Sequence, residues 1–143
     1  MKQFRSIQGV VFSVGMACAA IGCNTSRENL AVFNRHYETG RMDLACSFAA
    51  QKISGKETPH GDDLLWMLQL AATERYCQRY ENSSGWFDRA EGTLRYYALN
   101  RNQIADSIVA AAISDTVIPY TGTIYDGIMV NTYKALNFMR QGQ

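Results

Sequence analysis

The chain has 143 residues and a mass of 16.0 kDa, with 47% apolar and 19% charged residues. That composition excludes a low-complexity or long disordered chain, and two prolines with 11 glycines exclude collagen-like or proline-rich material. Fourteen basic against 13 acidic side chains leave a net charge of +1, which gives no reason to expect nucleic acid as a partner. The length fits one domain with a modest core.

Residues 1–22 read as an address rather than as part of the fold. Lys2 and Arg5 give a positive start. Val10 to Ile21 is then apolar or small and carries no charge. A spanning helix needs ~20 such residues, so this shorter run suits the core of a signal peptide. It ends in Ala20-Ile21-Gly22-Cys23, where small residues can lie extended in a peptidase groove and the thiol can carry a lipid. These residues resemble the lipobox of bacterial lipoproteins, with Ala20 where that pattern usually has Leu. The resemblance implies lipidation at Cys23. With Asn24 rather than Asp next, it also implies the periplasmic side of the outer membrane of a Gram-negative bacterium. The mature chain would run over 23–143. Losing Lys2 and Arg5 leaves it 12 basic and 13 acidic side chains.

The mature chain reads as helical throughout. Thr25-Ser26-Arg27-Glu28 has capping-box spacing, and Leu30, Phe33 and Tyr37 follow at helical intervals. Gly40 is placed to end that helix. Leu44, Ala45, Phe48, Ala49 and Ile53 form the stripe of a second helix. Ser54 to Gly61 is a loop by its Gly, Pro and polar content. Asp62 and Asp63 open a third helix, where negative charge suits the dipole. Its wide apolar face (Leu64, Leu65, Leu68, Ala71, with Trp66, Met67 and Leu70 beside it) predicts cover on more than one side. Glu81-Asn82-Ser83-Ser84 reads as a turn with N-cap residues, followed by a fourth helix marked by Trp86, Phe87, Ala90, Leu94 and Tyr97. Asn100 to Asn102 punctuates the chain before a weaker fifth helix over Ile104 to Ala112. Asp115 to Gly122 is a loop. Ile124, Ile128, Met129, Thr132, Tyr133, Leu136 and Met139 mark a last helix that reaches the C-terminus without a clear cap.

Two helix pairs, 26–54 and 62–98, each carry an aromatic followed by small residues in their second helix: Phe48-Ala49 and Phe87-Asp88-Arg89-Ala90. This resembles a tetratricopeptide array, although the offset between Phe48 and Phe87 exceeds the usual period of about 34. The stretches DDLLWMLQLA, WFDRAE, IPYTGTIYDG and NTYKALNF resemble an uncharacterised family of bacterial lipoproteins with tetratricopeptide-like N-terminal regions. Members of that family are longer, which implies a short form or a fragment with an incomplete stack. The expected fold is all-α, with about six helices in tetratricopeptide-like antiparallel pairs.

Chemistry-bearing residues are sparse. Asp62, Asp63 and Glu74 could suggest paired carboxylates, but two open a helix and the third reads as lying on a solvated face. His36 and His60 have no metal-ligand spacing, Ser83-Ser84-Gly85 lacks a nucleophile-elbow frame, and no phosphate loop is present. No catalytic residue, metal ligand or cofactor is therefore expected. Cys46 and Cys77 are open to two readings, an exported disulfide or two small apolar residues. Arg75, Tyr76, Arg79 and Tyr80 form a candidate partner-binding surface, because Tyr and Arg dominate interface hot spots and Arg75 and Arg79, four apart, share one helix face. The expectation is a non-enzymatic docking scaffold, lipid-anchored through Cys23, whose partner is an envelope protein or peptide segment. The alternatives are an accessory factor or activator of a cell-wall enzyme, or a fragment without independent function.

Overall fold

The computed structural model of the chain describes residues 26–114 and 120–142. Cys23, the signal segment, Thr25 and Pro119 lie outside the described residues. Within them the protein is all-α, with six helices and no strand: α1 (26–38), α2 (Met42–Lys52), α3 (Asp63–Tyr76), α4 (Tyr80–Leu99), α5 (Arg101–Ser114) and α6 (Ile124–Gln141).

α1 ends as its glycine predicts. Gly40 takes φ +71°, and Arg41 N–H donates to His36 O at 2.8 Å, closing the last turn. α3 is the central helix and is covered on two sides. One side, Trp66 and Leu70, packs with Phe33, Ala45, Cys46 and Ala49 of α1 and α2. Phe33 and Phe48 meet the Trp66 ring edge-on at 5.9 and 6.0 Å. The other side, Leu64, Met67 and Ala71, packs with Phe87, Ala90 and Tyr97 of α4 and Val130 of α6. Ala45, Ala49, Ala71 and Ala90 are fully buried, and their small side chains let the helices cross closely. Leu44, expected on the α2 stripe, is instead exposed.

The turn between α3 and α4 falls earlier than the sequence suggests. Glu81-Asn82-Ser83-Ser84 is helical, and the reversal occupies Cys77 to Arg79. Gln78 takes φ +61° and Arg79 N–H donates to Glu74 O at 3.0 Å. Ser83 and Ser84 are buried because both take hydrogen bonds from Asn137 of α6, at 3.0 and 3.1 Å, and Ser83 Oγ donates to Ala71 O at 2.8 Å.

α6 also turns a different face inward than expected. Its buried residues are Val130 and Asn137, while Ile124, Ile128, Met129, Leu136 and Met139 of the predicted stripe are exposed. Nor does the helix lack a C-cap: Gly142 adopts φ +74° and its N–H returns to Met139 O.

The lead into α6 is tightly specified. Gly122 has φ +78°, and an added Cβ would collide with Leu94 Cδ2 and stand 2.9 Å from Leu64 Cδ2. Gly122→Ala is expected to cost about 2–4 kcal/mol from backbone strain and overpacking combined, read by chemical denaturation; a cost under about 0.5 kcal/mol would contradict this packing.

Asp126 Oδ2 accepts from Thr123 N–H, Thr123 Oγ1 and Tyr120 Oη at 2.6, 2.8 and 2.8 Å. Burial pushes this carboxyl upward, but the three hydrogen bonds outweigh it and hold the group below its ordinary value of 3.8. A depressed carboxylate contributes stability above its unfolded pKa and loses it as pH falls through the folded one. Asp126→Asn should therefore flatten the fall of Tm between about pH 4 and pH 2. An unchanged acid limb in a thermal melt series would contradict it.

Candidate functional site

Three of the four residues expected on a binding surface come together. Arg75 and Tyr76 at the end of α3 and Tyr80 at the start of α4 share a cleft of about 270 Å³ with Tyr37, Ala72, Tyr133 and Arg140. α1 supplies Tyr37 and α6 supplies Tyr133 and Arg140, so four helices build the walls. Tyr76 is 64% exposed and its ring lies 6.2 Å from that of Tyr37. Tyr133 is held from behind by stacking on Phe87 at 5.6 Å.

Arg75 sits between rings, its guanidinium carbon 5.9 Å from the Tyr80 centroid and 5.7 Å from that of Tyr133. Its Nη1 donates to Asn137 Oδ1. Asn137 is fully buried, and its amide is fixed in turn by Ser83 and Ser84 and by Tyr80 O at 3.4 Å. The anchor is a neutral amide, so it does not balance the guanidinium's charge. Among the described residues neither Arg75 nor Arg140 has a carboxylate within ion-pair distance. The described lining residues hold no carboxylate, histidine or cysteine. What the cleft offers is two uncompensated guanidinium groups, tyrosine faces and phenolic hydroxyls, a set suited to holding an anionic group.

Arg79 does not belong to this cleft. The helix stops at Tyr76, and the left-handed Gln78 carries the next residue toward α2. There Arg79 pairs with Glu74 through Nε, with Asp43 at 2.9 Å through Nη1, and donates to Cys46 Sγ at 3.2 Å. Its pKa is raised, first by the hydrogen bond it donates to Glu74. Glu74 is buried in this pairing rather than lying on a solvated face. Cys46 and Cys77 are free thiols here. Burial, with Glu74 adding to it, pushes the Cys46 thiol up to about 12, which keeps it protonated and unreactive.

Asp62 and Asp63 open α3, as expected, but they differ. Asp62 accepts from Ser26 Oγ at 3.0 Å. Asp63 is buried and accepts from Ser54 N–H, Ser54 Oγ and His60 N–H at 2.7, 2.6 and 2.9 Å. Each carboxylate is engaged in holding the chain. The His36 ring lies 6.4 Å from Phe48 on the α1–α2 side, while His60 belongs to the loop before α3. Among the described residues no group of His, Cys, Asp and Glu could hold a metal ion.

A larger cleft of about 580 Å³ between α4, α5 and α6 is lined largely by apolar groups such as Leu94, Ile104 and Ile108, with Arg101 at its edge. It lacks the convergent charge of the Tyr–Arg cleft. No helix of the described residues is long and apolar enough to cross a membrane.

Tyr37, Asn137 and Arg140 are not among the residues the sequence marks for the site. The available signal is the spacing 133, 137, 140, which places Tyr, Asn and Arg on one face of α6. Comparison with known protein families, with curated proteins and with solved structures finds no match for this chain, so the site is read from its own geometry.

Proposed function

We propose that this protein is a docking module of the bacterial envelope, anchored by lipid at Cys23, whose Tyr–Arg cleft receives an acidic segment of a partner protein. One observation carries the reading: Arg75 and Arg140 share a tyrosine-lined cleft with no carboxylate partner among the described residues. A cleft of about 270 Å³ is below the usual size of a small-molecule site, which is about 300–1,000 Å³. It suits a single carboxylate side chain or a chain terminus. Guanidinium groups bind such a carboxylate in a forked geometry, and tyrosine rings supply contact area at low entropic cost. The signal-like run before Cys23 and the helix-pair pattern support an exported, tetratricopeptide-like scaffold.

The test is a photo-crosslinking amino acid in place of Tyr76 in intact cells. A discrete adduct is expected at position 76 and none at Leu99. The adduct should vanish when Arg75→Ala and Arg140→Ala are combined with the probe, and should be lost with Cys23→Ala, which removes the anchor. A folded, abundant protein that yields no adduct from position 76 would overturn the docking role.

A further inference from the structure

α6 presents a second surface, independent of the Tyr–Arg cleft. Val130 and Asn137 turn toward α4 and are fully buried. The opposite face carries Ile124, Tyr125, Ile128, Met129, Thr132, Ala135, Leu136 and Met139, and no charged residue. All are exposed: Tyr125 at 73%, Ile128 at 57% and Met139 at 72%. Their exposed area is on the order of 700 Å², above the largest patch on a typical monomer and close to what one partner contributes to a stable interface.

The extent of this face, and its spacing, fit a second copy of the chain. Tyr125, Ile128, Thr132, Leu136 and Met139 follow one another at intervals of three, four, four and three, a pattern that reads the same in both directions about Thr132. Two copies of α6 crossing antiparallel on a two-fold axis at Thr132 would set Tyr125 against Met139 of the other copy, and Ile128 against its Leu136. Such contacts are reciprocal, as an isologous interface requires: residue i meets j and j meets i. The centre suits a close crossing. Thr132 is small, and its hydroxyl already donates to Ile128 O at 2.9 Å, leaving the methyl group for contact. Antiparallel helices also oppose their dipoles favourably. A helix lying on a bilayer would instead carry basic residues along a solvated polar face, and here the face opposite the apolar one is buried in the fold.

We propose that the protein forms a two-fold homodimer through the exposed face of α6, with its axis at Thr132.

Two experiments on the full chain, expressed in cells and extracted in detergent, test it. Thr132→Cys should give a disulfide-linked dimer under mild oxidation, whereas Asn131→Cys, at the edge of the face and about 100° round the helix from the axis, should not. In sedimentation velocity, Ile128→Lys alone and Leu136→Glu alone should each weaken the dimer at least a hundredfold. The double variant, whose lysine and glutamate meet across the axis, should restore it to within tenfold of the wild type. Helical circular dichroism should be unchanged in each, since the face is exposed. A wild type that stays monomeric, including one that binds phosphatidylglycerol vesicles through this face instead, would overturn the proposal. So would equal crosslinking at positions 131 and 132, or a double variant no better than the single ones.

Discussion

Replacing Asn137 by leucine is expected to lower the unfolding free energy by about 3 kcal/mol, although leucine is of similar size and the site is fully buried. The amide is the polar link between three helices. Its Nδ2 donates to Ser83 and Ser84 of α4 and to Tyr80 O, and its Oδ1 accepts from Arg75 of α3. Leucine would leave the two buried serines short of a partner and release the guanidinium from its position between Tyr80 and Tyr133. Removing one member of a buried network costs the desolvation of those left behind, which is why shape alone does not compensate. Urea denaturation of the Asn137→Leu and Asn131→Leu variants reads the difference, the second being on the solvent side of the same helix. A loss below about 1 kcal/mol at position 137 would show that the network contributes little. The same substitution should weaken binding at the cleft, because Arg75 then has no fixed orientation.

Asp63→Asn is expected to cost about 2–3 kcal/mol, and Asp62→Asn less than about 0.5 kcal/mol. The two residues are neighbours of identical chemistry. The difference lies in their partners. Asp63 is buried and takes three donors, two of them backbone N–H groups, tying the Ser54–His60 loop to the start of α3. An asparagine amide can present only one acceptor oxygen and sets an N–H against a donor. Asp62 takes a single hydroxyl from Ser26, which asparagine can still accept. Equal costs at the two positions, measured by denaturant midpoint at constant slope, would contradict this assignment.

The helices were legible wherever local chemistry marks them. Gly40 closes α1, Asn100 separates α4 from α5, and the breadth of the apolar face on α3 corresponds to its packing on two sides. The turn before α4 was not. Cys77-Gln78-Arg79 contains neither Gly nor Pro, while Glu81-Asn82-Ser83-Ser84 has the composition of a cap. The serines are there for a partner more than 50 positions later in the chain, a long-range reason that no local pattern carries. The inward face of α6 was misread for a related reason. Its larger apolar stripe is the exposed one, and the buried face is half polar because it meets the Arg75–Ser83–Ser84 group. Arg75, Tyr76 and Tyr80 were legible as a binding surface because hot-spot residue types clustered in sequence. Arg79 was placed with them on the premise of a continuous helix, and the left-handed Gln78 breaks that premise.

The proposed docking role rests on charge, since a cleft with two guanidinium groups and no carboxylate among its described lining residues would receive a carboxylate-bearing segment. The most direct measurement is a titration of isotope-labelled protein, following the arginine Nε–Hε resonances, with a short glutamate-rich peptide and with its glutamine counterpart. Arg75 and Arg140 are expected to shift with the glutamate peptide alone, and the paired Arg79 is expected not to move. Shifts of equal size with both peptides, or none at Arg75 and Arg140, would contradict it.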